Sequence, residues 1–170
     1  QPSWTLAAGV RYSSDHKDYD RTTSTFWGAP FTAINETVAF TGSKRWNAWT
    51  PTLSLQKQFD PQTMGYVSAS RGFKSGGFNG RANTAYDVQH AKYDPEFVWT
   101  YEMGLKAESA DHRMRGSVTA FTSTYKDFQA RVSQDVGTFP VLNAAKLDIK
   151  GLELEGSAMV SDATTLTAQL

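Results

Sequence analysis

The sequence predicts an all-β chain: an antiparallel up-and-down segment of a transmembrane β-barrel, about seven strands long. Three observations predict it. Several stretches alternate with a period of two residues, apolar on one face and polar on the other, which is the period of a strand. Large aromatics stand at the ends of the apolar faces, as they do at the two interfaces of a membrane. The connections between stretches run long, short, long, short, long, short, as in barrels with tight turns on one side and longer loops on the other. A β-sandwich distributes its connections without that regularity.

Composition narrows the classes further. The 170 residues contain no run approaching the roughly 18 apolar residues of a membrane helix. That excludes a helical membrane protein and leaves a barrel open, because alternation hides apolar residues from a running average. Formal net charge is +0, so no global field favours nucleic acid. With 0 cysteines, neither a disulfide scaffold nor a thiolate metal site is available. The chain opens at Gln1 without a charged segment and apolar run of signal-peptide type, as expected of a mature or partial chain.

The first stretch is Ser3 to Ser13. Trp4, Leu6, Ala8, Val10 and Tyr12 share one face; Thr5, Ala7, Gly9, Arg11 and Ser13 share the other. At ~3.3 Å per residue and a tilt of about 40°, Trp4 to Tyr12 covers on the order of 20 Å of membrane normal. A sandwich strand with inward aromatics fits this stretch equally well. Residues 14–46 read as a long polar loop, and Asp15, Asp18 and Asp20 do not match a calcium-binding loop. Trp49 to Phe59 is the second strand, with Lys57 breaking its apolar phase and Pro51 expected near its start. A turn at Asp60-Pro61-Gln62-Thr63 leads to a third strand, Met64 to Phe73, where Tyr66 and Val67 compete for the apolar side.

Residues 74–96 form a second long loop. Phe97, Trp99, Tyr101, Met103, Leu105 and Ala107 then alternate against Val98, Thr100, Glu102, Gly104, Lys106 and Glu108, the clearest strand of the chain. After a turn at Ser109–Arg113, Met114 to Val132 carries two competing phases, Val118 with Ala120 against Phe121 with Tyr125, which a bulge would reconcile. Beyond a loop over 133–142, Asn143 to Val160 puts Leu152, Leu154, Gly156, Ala158 and Val160 opposite Gly151, Glu153, Glu155, Ser157 and Met159. A turn at Asp162–Thr165 starts one more strand. The alternation of connection lengths places loops 14–46, 74–96 and 133–142 outside the cell.

Tyr66 to Gly80, YVSASRGFKSGGFNG, reads as a strand followed by a glycine-rich bend. It is not a phosphate-binding loop, because Lys74 and Ser75 precede Gly76 and Gly77 where the P-loop order requires them to follow. At least one of Gly72, Gly76 and Gly77 is expected at positive φ. The same stretch resembles a hallmark of the barrel domain of TonB-dependent outer-membrane receptors. Three further segments resemble that family in the same order. They are Tyr93-Asp94-Pro95-Glu96 with Tyr101-Glu102-x-Gly104-x-Lys106, then Phe121 with Tyr125-Lys126-Asp127-Phe128-Gln129, then Asn143-Ala144-Ala145-Lys146 with Gly151-Leu152-Glu153-Leu154-Glu155.

The resemblance implies a Gram-negative outer-membrane receptor in which residues 1–170 are part of a barrel of about 22 strands, plugged by a separate domain that this chain lacks. It implies active uptake of a scarce ligand, most often a ferric siderophore, energised by TonB–ExbB–ExbD through the plug. Nucleic acid is not an expected partner, and no cofactor, metal site or catalytic residue is expected. His16, His90 and His112 lack metal-ligand spacing. Glu153 and Glu155, on one face, are expected to pair with lumen cations. A flat, anionic chelate asks for aromatic faces and cations in an outward vestibule. Loop 14–46 offers Phe26, Trp27, Phe31, Arg45 and Trp46, and loop 74–96 offers Arg81, Tyr86 and Tyr93. Trp46 and Tyr93 also suit an external aromatic girdle. The alternatives are a small self-closed outer-membrane barrel, adhesin or enzyme, and a ligand-binding β-sandwich.

Overall fold

The structure is a computed structural model that describes residues 3–27, 33–132, 140–143 and 146–170. Its strands are β1 (Ser3–Trp27), β2 (Ala33–Asp60), β3 (Thr63–Lys74), β4 (Gly77–Phe78), β5 (Lys92–Tyr93), β6 (Glu96–Glu108), β7 (Met114–Lys126), β8 (Gln129–Arg131), β9 (Val141–Asn143), β10 (Leu147–Ser161) and β11 (Thr164–Gln169). One short helix, α1 (Ala85–Gln89), lies between β4 and β5. Seven strands form one antiparallel sheet in the order β1-β2-β3-β6-β7-β10-β11. β4 pairs with β5 and β8 with β9 as small ribbons within the connections, so the main sheet is an uninterrupted up-and-down meander.

Residues opposite each other in antiparallel pairs share a face. One row across the sheet is therefore Leu6, Leu55, Val67, Met103, Ala120 and Leu152, and the next is Thr5, Gln56, Tyr66, Gly104, Thr119 and Glu153. The apolar rows are uncovered: Trp4 is 64%, Leu6 67% and Leu152 62% exposed. Among the described residues no second layer packs on them. A sandwich would bury that face, whereas a barrel wall presents it to lipid.

The register settles the two ambiguous phases. Val67 takes the apolar face and Tyr66 the polar one, where its hydroxyl meets Glu102 and lies 3.3 Å from Thr119 Oγ1. In β7, Val118 and Ala120 are apolar-facing while Phe121 and Tyr125 are polar-facing, and pairing continues without a shift on both sides. The expected bulge is absent because Phe121 has a place among polar residues: its ring lies over Gly151, where a Cβ would come within 2.6 Å. Tyr66 covers Gly104 in the same way. Aromatic bulk on the polar face is thus received by glycines on the neighbouring strands.

Residues 14–27 and 33–46 are paired strand and not loop, which corrects the sequence expectation for most of 14–46. β1 and β2 pair from Ser3 opposite Gln58 to Trp27 opposite Ala33, with one register shift between Thr25 and Phe26. Above the apolar band the outward face carries His16, Asp18 and Asp20 and the inward face Asp15 and Lys17, so with both faces polar the two-residue period disappears while the backbone ladder persists. Pro51, expected near a strand start, sits within β2 opposite Val10, directly beyond the last β2–β3 pair at Thr52 and Ser70. There β2 has become an edge, where proline is tolerated. The expectation for loop 133–142 falls largely on residues 133–139, outside the described residues.

Candidate functional site

The loop-side end of the sheet is built around the connection between β3 and β6. The double glycine opens it. Gly76 and Gly77 do not adopt the positive φ expected of them, and neither does Gly72. Close approach explains the first two. A Cβ on Gly76 would collide with the Trp46 indole and lie 2.6 Å from the Tyr93 carbonyl oxygen, and one on Gly77 would lie 2.5 Å from the Tyr93 hydroxyl. The bare backbone lets the chain lie flat between Trp46 and Tyr93.

Phe78 follows and enters an aromatic nest on the β1–β2 hairpin. Its ring centroid is 5.7 Å from those of Tyr19, Phe40 and Trp46. Gly42, opposite Tyr19, leaves the space that Phe78 fills. Lys17 donates from Nζ to the Gly76 carbonyl at 2.6 Å, and Arg21 Nη2 donates to Asn83 Oδ1 at 2.8 Å. Lys17 and Lys44 ammonium groups sit 5.5 and 5.2 Å from the Trp46 ring centroid. Helix α1 is closed by a capping box, with the Thr84 hydroxyl accepting from Asp87 N–H and the Asp87 carboxylate accepting from Thr84 N–H.

The loop returns through Asp94, whose carboxylate meets Lys44 Nζ at 2.8 Å. The Lys44 hydrogen bond holds the Asp94 carboxyl below its ordinary range. The other flank of the loop is tied to β8 and β9. Gln129 Nε2 donates to the carbonyls of Ser75 and Asp94, each at 3.0 Å, while Gln129 N–H donates to Glu96 Oε2 at 2.8 Å. Asn143 Nδ2 donates to the carbonyls of Asp94 and Asp127, each at 2.8 Å. Asp127 has φ 55°, which turns the chain out of β7 toward these contacts. The sequence segments around Ser75, Asp94, Asp127, Gln129 and Asn143 are thus the parts of one hydrogen-bonded knot.

The candidate ligand residues separate on this framework. Trp46 is 3% exposed, enclosed by Phe78 and Gly76 on the polar face, so it belongs neither to an open vestibule nor to an outer girdle. Tyr93 covers Gly77 beside it. Arg45 is exposed on the opposite face, across from His16. Arg81 and Tyr86 are exposed on the loop, and the Tyr86 ring stands 4.2 Å from that of His90. The backbone of Phe26 and Trp27 lies at the tip of the hairpin, their side chains are outside the described residues, and so is Phe31 altogether. Sequence reasoning missed Lys17, Tyr19, Arg21 and Phe40. Reading 14–46 as a paired hairpin would have put Lys17, Tyr19 and Arg21 on one face, opposite Lys44, Gly42 and Phe40.

Glu153 and Glu155, expected to pair with lumen cations, make no ion pair among the described residues. No group of three or more metal-ligating side chains occurs among the described residues either. The family model for the TonB dependent receptor-like β-barrel matches residues 1–169. The chain belongs to the TonB-dependent receptor β-barrel family. This is a family of outer-membrane transporters, not enzymes. Its fold is similar to that of the ferric yersiniabactin uptake receptor FyuA from Yersinia pestis, with TM-score 0.74 at 20% identity over 98% of this chain. It is similar also to the ferric-catecholate import receptor Fiu from E. coli K12, with TM-score 0.66 at 17% identity over 98% of this chain. The chain spans 23% of FyuA and 25% of Fiu. The alcaligin receptor FauA from Bordetella pertussis matches over 98% of this chain and 27% of its own, with TM-score 0.59 and 16% identity.

Proposed function

We propose that this chain is a wall segment of a TonB-dependent receptor whose complete form takes up a ferric siderophore across the outer membrane of a Gram-negative bacterium. Residues 1–170 supply part of a barrel of about 22 strands, and a separate plug domain links it to TonB–ExbB–ExbD. The observation that carries the reading is the docked loop 74–96. It is fastened to the β1–β2 hairpin on one flank and to Gln129 and Asn143 on the other. A wall with a rigid outward ledge on its polar face is suited to hold a ligand above a plugged lumen. Arg81 and Tyr86, exposed on that ledge, are the contacts that this segment offers to an anionic, flat chelate. Glu153 and Glu155, without an ion pair among the described residues, offer charge to a cationic plug surface.

The test is uptake of labelled ferric siderophores, catecholate and hydroxamate, by iron-starved cells expressing the complete protein. Uptake of one class that requires both the protein and TonB is expected. Accumulation that is unchanged when the protein or TonB is removed would overturn the proposal.

A further inference from the structure

Lys57 stands out on the apolar face. It interrupts the apolar phase of β2 as the sequence pattern expected: the register places it squarely between Trp4 of β1 and Gly65 of β3, both apolar-facing positions. It lies three residues before Asp60, close to the short-turn edge of the sheet. Its ammonium rests 5.0 Å from the Trp4 ring centroid and 5.1 Å from that of Phe59. Among the described residues no carboxylate lies within ion-pair distance of it. A cation at the rim of a lipid-facing surface, held by aromatic faces, reaches the interface, where a lipid phosphate is the available counter-charge.

The surface beneath it is concave. A groove of about 510 Å³ runs from Trp4, Lys57 and Phe59 along Val67, Met103 and Leu105. Gly65 makes its floor, and the Phe59 ring lies over that glycine so closely that a Cβ there would sit 3.0 Å from the ring. The groove is apolar along its length and cationic at the end nearest the membrane–water boundary. That polarity matches one molecule of the bilayer, with its chains in the hydrocarbon and its phosphate at the interface.

We propose that this groove holds one glycerophospholipid of the turn-side leaflet, an acyl chain along Val67 and Met103 and the phosphate on Lys57 Nζ. Trp4 and Phe59 position the ammonium. A neutral lipid would fill the groove without using the charge. The proposal rests on the apolar face meeting lipid and is independent of what the receptor transports.

The experiment is native mass spectrometry of the complete protein in non-ionic detergent, titrated with dioleoylphosphatidylglycerol or with dioleoylglycerol. Wild-type protein is expected to retain phosphatidylglycerol in preference to dioleoylglycerol. Lys57→Gln should weaken that retention roughly tenfold, the usual cost of losing a hydrogen bond to a charged group, while Lys57→Arg restores it. Gly65→Leu, which puts a side chain where the Phe59 ring and the groove floor lie, should weaken it as well. Equal retention of the two lipids by wild type would overturn the site without any variant, and so would unchanged phosphatidylglycerol binding in Lys57→Gln. Siderophore binding by the same variants is expected to stay at the wild-type level. A wild-type protein that binds no siderophore would defeat the uptake reading and leave the lipid result standing.

Discussion

The side-chain amide of Asn143 pairs with the main chain of Asp94 as a strand would: its Oδ1 accepts from the Asp94 N–H and its Nδ2 donates to the Asp94 carbonyl, each at 2.8 Å. One side chain thereby ties β9 to the end of loop 74–96, and the same Nδ2 reaches the Asp127 carbonyl at 2.8 Å. Asn143→Ala is expected to release the loop flank without unfolding the barrel. Three hydrogen bonds at partly exposed groups are lost, each worth about 1 kcal/mol or less after exchange with water. Hydrogen exchange should rise in residues 92–95 and remain at the wild-type level in β6 and β7. Uniform protection would show that the amide is redundant.

The glycines can be sorted by what lies beyond them. Gly76→Ala forces a Cβ against Trp46 and to 2.6 Å from the Tyr93 carbonyl, in a place where backbone has to move. Overpacking of this kind costs about 1–3 kcal/mol. Gly9→Ala in β1 and Gly156→Ala in β10 meet nothing within 4 Å and should be neutral. Limited proteolysis of the loop would separate the cases, and equal resistance of all three variants would contradict the packing role of Gly76.

Sidedness gives a third test. Leu154 lies opposite Val118 on the apolar face, and Glu155 opposite Ser117 on the polar face. Leu154→Arg in the complete barrel is expected to cost roughly 2–4 kcal/mol near the bilayer midplane, and Glu155→Arg much less. Unfolding titrations from lipid measure both. Equal costs would mean that the two faces see the same environment.

Where the physics is local and one-sided, the sequence was readable. The alternation from Phe97 to Ala107 has a single solution, since each residue either meets the apolar band or does not, and the register matches it residue for residue. The upper half of the β1–β2 hairpin was illegible for the opposite reason. Asp15, Lys17 and Tyr19 face the loop-covered side while His16, Asp18 and Asp20 face away, and with both sides polar no period survives. The candidate site suffered from the same gap. Trp46 drew attention as an aromatic beside an arginine, but burial by Phe78 depends on a residue 32 positions later, and only pairing of Lys17 with Lys44 and Tyr19 with Gly42 brings that nest into view.

Acid should loosen the loop before it affects the sheet. Asp94 titrates below its ordinary value in the folded protein because Lys44 donates to it. A depressed carboxyl contributes stability above its unfolded-state pKa, near 4, and loses it as pH falls through the lower folded value. Quenching of fluorescence in the Trp46 region by a soluble quencher should therefore increase only below about pH 4. In Lys44→Met this acid step should vanish, and a step of unchanged size in that variant would assign it to another group.

Arg81 and Arg45, equivalent by sequence, differ by position. Arg81 is exposed on the docked loop, which packs on the polar side of the hairpin, whereas Arg45 is exposed on the other side, opposite His16. A ligand held above the lumen can reach the first and not the second. Arg81→Ala in the complete receptor is expected to weaken siderophore binding roughly tenfold, the lower end of what a hydrogen bond to a charged group is worth. Arg45→Ala should leave the dissociation constant where it was, and Tyr86→Phe should change it little if the ring face makes the contact. Binding of the ferric complex by intrinsic fluorescence quenching measures all three on folded protein. Equal losses at Arg45 and Arg81 would indicate recruitment by general surface charge, which raised salt would abolish in both. No loss at Arg81 would place the ligand on other loops or on the plug.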